Sequence, residues 1–309
     1  MRDESVFILG EDIGARGGVF LATDGFIDEF GEERIIDTPL AESSIAGVAL
    51  GAAMRGMRPI AEIQFADFIW PSFNQIIGEA SRVHYGTAGS LSVPLVIRSP
   101  YGGGVRGGLY HSQSVETYFS HVPGLKVIAP ATPYDAKGLL KSSIRDENPV
   151  VFLEHKRTYR LVRGEVPDID YTLPIGKADV KLKGDDLSVI TYGLMVHHCL
   201  EAAREVKPEG IDVEVLDLRT LRPLDEEAII STVKKTGKAL IIHEDTKAGG
   251  IGGEVAAIVS EKAFEYLDGP VMRLAGPEVP AMPFSPPLEA MFMIDEQDIV
   301  RSIRSLARY

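Results

Sequence analysis

Glu42 stands at the mouth of a helix built from small and apolar residues. In Asp37-Thr38-Pro39-Leu40-Ala41-Glu42-Ser43-Ser44-Ile45-Ala46-Gly47 it precedes Ile45, Val48, Ala49, Ala52 and Ala53, whose spacing marks 43–56 as a packing element. Two uses are open to such a carboxylate. From solvent it complements the helix dipole; inside a cleft, where water is scarce, it makes a strong hydrogen bond to a ligand. A second feature favours the cleft. The loop Ser99-Pro100-Tyr101-Gly102-Gly103-Gly104-Val105-Arg106-Gly107-Gly108 delivers His111 within Leu109-Tyr110-His111-Ser112-Gln113-Ser114. Its glycines let backbone approach a ligand or a neighbouring chain closely. A lone histidine is often structural, but one on a loop points towards function.

Gly102-Gly103-Gly104-Val105-Arg106-Gly107 also fits the dinucleotide pattern G-x-G-x-x-G. The residues after it open no long apolar helix, so the helix N-terminus that would hold a pyrophosphate is missing, and no Lys-Ser or Lys-Thr follows. The loop therefore reads as a site, but not a nicotinamide site. Gly249-Gly250-Ile251-Gly252-Gly253 precedes a helix and could hold an anion, though a turn accounts for it as well. His197-His198 has no acidic cluster near it, and His243-Glu244-Asp245 reads as a solvated or interdomain pair rather than a metal set.

The elements that position these residues alternate along the chain. Short β-branched runs at 6–9, 59–65, 94–98, 125–128 and 150–153 read as buried parallel strands, with helices near 43–56, 71–85 and 133–145. Thr132 as N-cap, Pro133 at the first position and Asp135 completing a capping box announce the last of these helices. A polar stretch, 163–186, reads as a linker, after which strands at 187–192, 213–218, 239–243 and 271–274 alternate with helices near 195–206, 225–235, 252–267 and 296–307. The fold class is α/β: two doubly wound domains, 1–165 and 187–309, joined by 166–186.

At 309 residues with 45% hydrophobic content, the chain can bury two cores. A net charge of −13 argues against nucleic-acid or anionic-membrane partners. Cys199 is the single cysteine, which excludes an internal disulfide and fits a cytoplasmic setting. No apolar run approaches the ~20 residues of a membrane span, and the N-terminus lacks the apolar core of a signal peptide.

Several motifs stand in one register: Leu9-Gly10-Glu11-Asp12, Gly17-Gly18-Val19-Phe20, Asp37 to Glu42, Ala61-Glu62-Ile63-Gln64-Phe65-Ala66-Asp67, Tyr110-His111-Ser112-Gln113-Ser114, Pro123-Gly124-Leu125-Lys126-Val127, Tyr134 to Leu140, and Asp217-Leu218-Arg219-Thr220-Leu221. Together they resemble the beta subunit of thiamine-diphosphate-dependent 2-oxo acid dehydrogenases, the decarboxylating first component of a multienzyme complex. The resemblance implies a transketolase-like pyrimidine-binding domain followed by a transketolase C-terminal-like domain. It implies that Glu42 hydrogen-bonds the N1′ ring nitrogen of the cofactor's aminopyrimidine, favouring the imino tautomer that activates the thiazolium. Leu40 is implied to pack on the pyrimidine, Glu11, Gln64 and Phe68 to line the pocket, and His111 to transfer protons as the acyl group passes to lipoyl. Branched-chain relatives often carry tyrosine where this chain has Phe68, which leaves ring packing alone there. Asp146 and Asn148 match a segment that binds potassium in some members, although Asn148 could equally cap a turn.

Thiamine-diphosphate enzymes hold the diphosphate through magnesium with a Gly-Asp-Gly motif and a later pair of asparagines. Neither occurs here, Gly184-Asp185-Asp186 lying in the linker. The resemblance therefore implies that an alpha subunit supplies the diphosphate half in a two-alpha, two-beta tetramer, and that the second domain makes the beta–beta contact and docks the lipoyl acyltransferase. Family members usually carry a further helix ahead of the first strand, whereas this sequence begins just before it. The expected reaction is oxidative decarboxylation of branched-chain 2-oxo acids of the 2-oxoisovalerate type, with pyruvate or acetoin dehydrogenase as the alternative. A nicotinamide oxidoreductase lacks its helix, and a non-catalytic scaffold would need neither Glu42 nor His111.

Overall fold

Aliphatic runs buried on both faces form the strands, as parallel sheets covered by helices require. The computed structural model describes residues 3–309. The strands are β1 (Val6–Gly10), β2 (Ile35–Asp37), β3 (Arg58–Glu62), β4 (Val96–Tyr101), β5 (Lys126–Ile128), β6 (Val150–His155), β7 (Asp179–Leu182), β8 (Leu187–Thr191), β9 (Val213–Asp217), β10 (Thr220–Arg222), β11 (Ala239–Thr246) and β12 (Met272–Gly276). Among the described residues they make a seven-stranded sheet, β10-β5-β6-β4-β3-β1-β2, and a five-stranded sheet, β12-β11-β8-β9-β7. Every pairing is parallel except β10 with β5 and β7 with β9. The carboxyl ends of β1 to β4 consequently meet along one edge, the place where open α/β sheets hold ligands.

Helices follow the expected spacing, with instructive differences. Glu42–Met54 buries Ile45, Ala49 and Ala53, whereas Val48 faces outward. The stretch expected as one helix at 71–85 is a 3-10 turn (Trp70–Ser72), a π-helical run (Asn74–Ala80) and an α-helical turn (Ser81–Gly86). Thr132 caps Pro133–Arg145 by accepting from the Asp135 amide at 3.1 Å. Asp135, however, does not close a capping box. Its carboxylate accepts the Thr132 hydroxyl and pairs with Lys181 and Arg219, tying the first domain to the second.

Three strands escaped the sequence pattern because each is short or half-exposed. β2 is a three-residue edge, β7 lies inside the stretch read as linker, and β10 crosses from the second domain to pair with β5. That crossing, together with an apolar core running from Ile97 and Phe119 through Ile190 and Leu218, couples the domains firmly. Among the described residues no helix is long and apolar enough to cross a membrane, and no group of three or more His, Cys, Asp or Glu is gathered to hold a metal.

Acidic groups are buried where the domains meet. Glu116 accepts from the Tyr192 hydroxyl at 2.7 Å, and burial, reinforced by the Asp245 charge, pushes its carboxyl up to about 8. A raised carboxyl pKa means that folding holds a proton the unfolded chain releases, so stability falls as pH rises from the carboxylate range through about 8. Glu116→Gln keeps the acceptor and removes the charge. Thermal unfolding should show its Tm dropping several degrees less than that of the parent between about pH 6 and about pH 9. Equal drops would contradict the buried-acid account.

Candidate active site

The first cluster gathers at the ends of β1, β2 and β3. Glu11 follows β1 directly, Leu40 and Glu42 follow β2, and Gln64 follows β3. Glu42 is the first residue of its helix, half-buried, with no side chain capping the helix start. Burial raises the Glu11 carboxyl, and the neighbouring charges of Glu42 and Asp12 raise it further. Two carboxyl groups thus stand close enough to influence each other, and an incoming hydrogen-bond donor would relieve their repulsion. The Gln64 amide reaches the Glu11 carbonyl and the Asp12 carboxylate, each at 3.4 Å. Leu40, two residues before Glu42, is 78% exposed.

The second cluster is built around His111. The segment after β3 turns through a 3-10 stretch, Ala66–Phe68, which sets two aromatic rings against the histidine. Phe65 meets the His111 ring edge-on at 4.6 Å between centroids and Phe68 meets it at 5.3 Å. Phe65 packs in turn against Phe20 at 5.7 Å. The two clusters are therefore contiguous through Gln64-Phe65, and the structure brings Glu11, Leu40, Glu42, Gln64, Phe68 and His111 to one edge of the sheet.

Residues the sequence reading left unassigned hold this edge in shape. Asp67 is buried and accepts the backbone N–H groups of Ser112 and Gln113, each at 3.2 Å, directly after His111. Burial raises its carboxyl, opposed chiefly by the Lys156 charge and then by those amides. Lys156 is itself buried, its ammonium 5.6 Å from the centre of the Phe65 ring, and burial pulls its pKa down to about 8 against the attraction of Asp67 and Glu244. Beneath the strand ends Arg98 pairs with both Glu62 and Glu154. Asp67 stood inside a quoted motif without a role, and Lys156 carried no sequence signal because its partners lie far away in the chain.

Asp146 and Asn148 lie elsewhere. They precede β6, on the amino edge of the sheet, away from the carboxyl edge that carries His111. The Asp146 carboxylate is engaged by Lys126 and by the Asn148 amide N–H at 2.9 Å, and its carbonyl accepts from Arg58 at 3.2 Å. His197 Nε2 donates to the Ala131 carbonyl at 2.7 Å and His198 pairs with Glu296 at 2.6 Å. His243 packs against Gly250 and Gly252, which leave the room its ring needs, and burial takes it down to about 4. Glu244 and Asp245 reach across to the first domain, bonding His155 at 2.9 Å and the Thr117 hydroxyl at 2.9 Å.

With this geometry in place, residues 1–162 match the description "Transketolase, pyrimidine binding domain" and residues 176–299 match "Transketolase, C-terminal domain". The chain is 60% identical over 308 residues to a 2-oxoisovalerate dehydrogenase subunit beta of Bacillus subtilis (strain 168), covering 100% of this chain and 94% of the relative. The chain belongs to the family of 2-oxo acid dehydrogenase beta subunits. A pyruvate dehydrogenase E1 component subunit beta of the same strain is 48% identical, covering 99% of this chain and 94% of the relative. A Staphylococcus aureus pyruvate dehydrogenase E1 component subunit beta is 44% identical, over the same shares. A solved split-gene transketolase, described as an inactive beta4 tetramer, superposes with a TM-score of 0.78 at 24% identity, covering 99% of this chain and 93% of that one, and attests the fold.

Removing Asp67 leaves loop amides without an acceptor and Lys156 without the negative charge that most favours its ammonium. Asp67→Ala should cost about 2–4 kcal/mol in urea unfolding, and adding Lys156→Met should recover at least about 1 kcal/mol of it. Strictly additive losses in the double-mutant cycle would contradict the pairing.

Proposed function

We propose that the chain is the beta subunit of a branched-chain 2-oxo acid dehydrogenase. It would act on acids of the 2-oxoisovalerate type together with an alpha subunit and a lipoyl acyltransferase, in the cytoplasm. The observation that carries the reading is the meeting of the Glu11–Glu42 pair and the His111 ring on one strand edge. The higher identity to a 2-oxoisovalerate than to a pyruvate dehydrogenase subunit, 60% against 48%, favours the branched-chain substrate.

The residues fit the pyrimidine half of thiamine diphosphate. A half-buried carboxylate at a helix start beside an exposed Leu40 suits a flat heteroaromatic ring, polar at its edge and apolar on its face. Glu11, Asp12 and Glu42 would repel a diphosphate, and the sequence holds no Gly-Asp-Gly and no Asn-Asn pair, so magnesium and diphosphate fall to the alpha subunit. Bound there, thiamine diphosphate supplies the electron sink that loss of carbon dioxide from a 2-oxo acid requires. Glu42 would hold the pyrimidine by a hydrogen bond at its N1′ ring nitrogen. Leu40 would pack against the ring, with Glu11 and Gln64 nearby as polar groups. Phe65 and Phe68 hold the His111 imidazole edge-on, which would let that ring hold or move a proton during acyl transfer. A potassium ion at 146–148 would draw on carbonyl oxygens, since the Asp146 carboxylate is already engaged by Lys126 and Asn148.

In the reconstituted enzyme, Glu42→Gln should lower decarboxylation of 2-oxoisovalerate at least about a hundredfold while light scattering shows the assembly intact. Near-normal decarboxylation would sink the assignment of Glu42. His111→Ala should reduce acylation of a lipoyl domain at least about tenfold more than decarboxylation with an artificial electron acceptor, and equal losses would remove its transfer role. A higher kcat/KM for pyruvate than for 2-oxoisovalerate would assign the chain to the pyruvate class.

A further inference from the structure

Five of the seven residues of 102–108 are glycine, so this loop has almost no side chain with which to anchor itself. Its backbone is nevertheless in demanding conformations. Gly102 has φ of 84°, and Arg106, a residue with a Cβ, has φ of 60°, in the left-handed region that such residues rarely occupy. The anchors come from the second domain. The Gly103 N–H donates to Glu244 Oε1 at 2.6 Å, and the Arg106 N–H donates to Glu289 Oε1 at 2.9 Å. Both carboxylates are buried, at 5% and 6% exposure. Glu244 is further locked by His155, whose Nε2 lies 2.9 Å from Oε2 while its Nδ1 accepts the Arg157 N–H at 3.2 Å, an arrangement that puts the imidazole proton on Nε2. Burial pushes the Glu244 carboxyl up, but the His155 and Gly103 donors and the Lys156 charge outweigh it and hold the group below its ordinary range. Apolar contacts add to the clamp: a Cβ at Gly103 would collide with Met282, and one at Gly108 would press on Phe284.

We propose that Glu289, with Glu244, is a positioning residue for acyl transfer: the second domain acts as a template that fixes the 102–108 backbone and thereby sets where His111 stands. The inference rests on the role given to His111 above. It assigns to the second domain a direct part in the active site, separate from contact between subunits. Charge-assisted acceptance of a backbone N–H is strong enough to hold a glycine-rich segment that would otherwise sample many conformations. Glu289 reports on the template more cleanly than Glu244, because the described bonds of its carboxylate end on the loop, whereas Glu244 also braces His155.

The test uses the assembled enzyme with Glu289→Ala and Glu289→Gln, the second of which retains a carbonyl acceptor. Hydrogen exchange of the peptide spanning 102–112 should quicken at least about tenfold in Glu289→Ala, with exchange in β8, β9 and β11 unchanged. Lipoyl acylation should fall about tenfold while decarboxylation with an artificial acceptor stays within about twofold, and Glu289→Gln should recover both to within about threefold. Unchanged exchange at 102–112, exchange raised throughout the second domain, or a Glu289→Gln enzyme as impaired as Glu289→Ala would each overturn the proposal. Should Glu289→Ala fail to fold, Glu289→Asp draws the carboxylate back by one methylene and should give an intermediate quickening confined to 102–112; none would count against the clamp. His111→Ala separates the two levels. If it leaves acylation intact, the role of His111 fails, and the exchange data still decide whether Glu289 holds the loop.

Discussion

A backbone without side chains must be held by its amides, and here buried carboxylates hold it. Asp67 accepts Ser112 and Gln113, Glu244 accepts Gly103, and Glu289 accepts Arg106. Ordering each residue of such a loop costs about 1–2 kcal/mol of backbone entropy, more for glycine, so neutral hydrogen bonds in water would offer little. Buried carboxylate acceptors do better, because a low local dielectric strengthens the bond and leaves the amide no competing water. The cost is the desolvation of the carboxylates, which His155 and Lys156 offset. One consequence is that His111 depends on both domains at once. Another is that the domains cannot drift apart: β10 of the second half pairs with β5 of the first, and Asp135 is bound to Lys181 and Arg219.

The other half of the site follows from opposite logic. Burial, and after it the nearby Glu42 and Asp12 charges, holds Glu11 above its ordinary pKa, which leaves this edge suited to a hydrogen-bonding group. Leu40 and Val48 stand exposed close to Glu42 in the chain, and Gly47 and Gly51 put little bulk on the same helix. Such a surface suits close cover by another polypeptide. On the proposed reading, an acidic edge that would suit a pyrimidine would repel a diphosphate, which is the electrostatic argument for a cofactor divided between two chains.

Much of this was legible in the sequence. Buried parallel strands announce themselves as short aliphatic runs, and Thr132-Pro133 announced its helix. Glu11, Leu40, Glu42, Gln64, Phe68 and His111, spread over 100 positions, stand out because their motifs stand in register; they follow strand ends on one edge of the sheet, and Phe68 packs on His111. What escaped was whatever depends on distant partners. β10 is a three-residue strand whose pairing with β5 no local pattern reveals. Val48 follows helical spacing but faces outward, since the apolar face is set by what the helix packs on. Asp135 looked like a local cap and is an interdomain tie. Glu289 and Lys156 resemble ordinary surface charges in sequence, and only the fold buries them against a loop and an aromatic ring.

The division of the cofactor is the central claim, and binding tests it directly. Titration calorimetry with thiamine diphosphate and magnesium, on the chain alone and on the chain co-expressed with its alpha subunit, compares the half-site with the whole. The account predicts saturable binding at one site per alpha–beta pair in the co-expressed assembly and none by the lone chain at about millimolar cofactor. Tight, magnesium-dependent binding by the lone chain would contradict it, because the acidic edge around Glu11 and Glu42 would then be holding the diphosphate unaided.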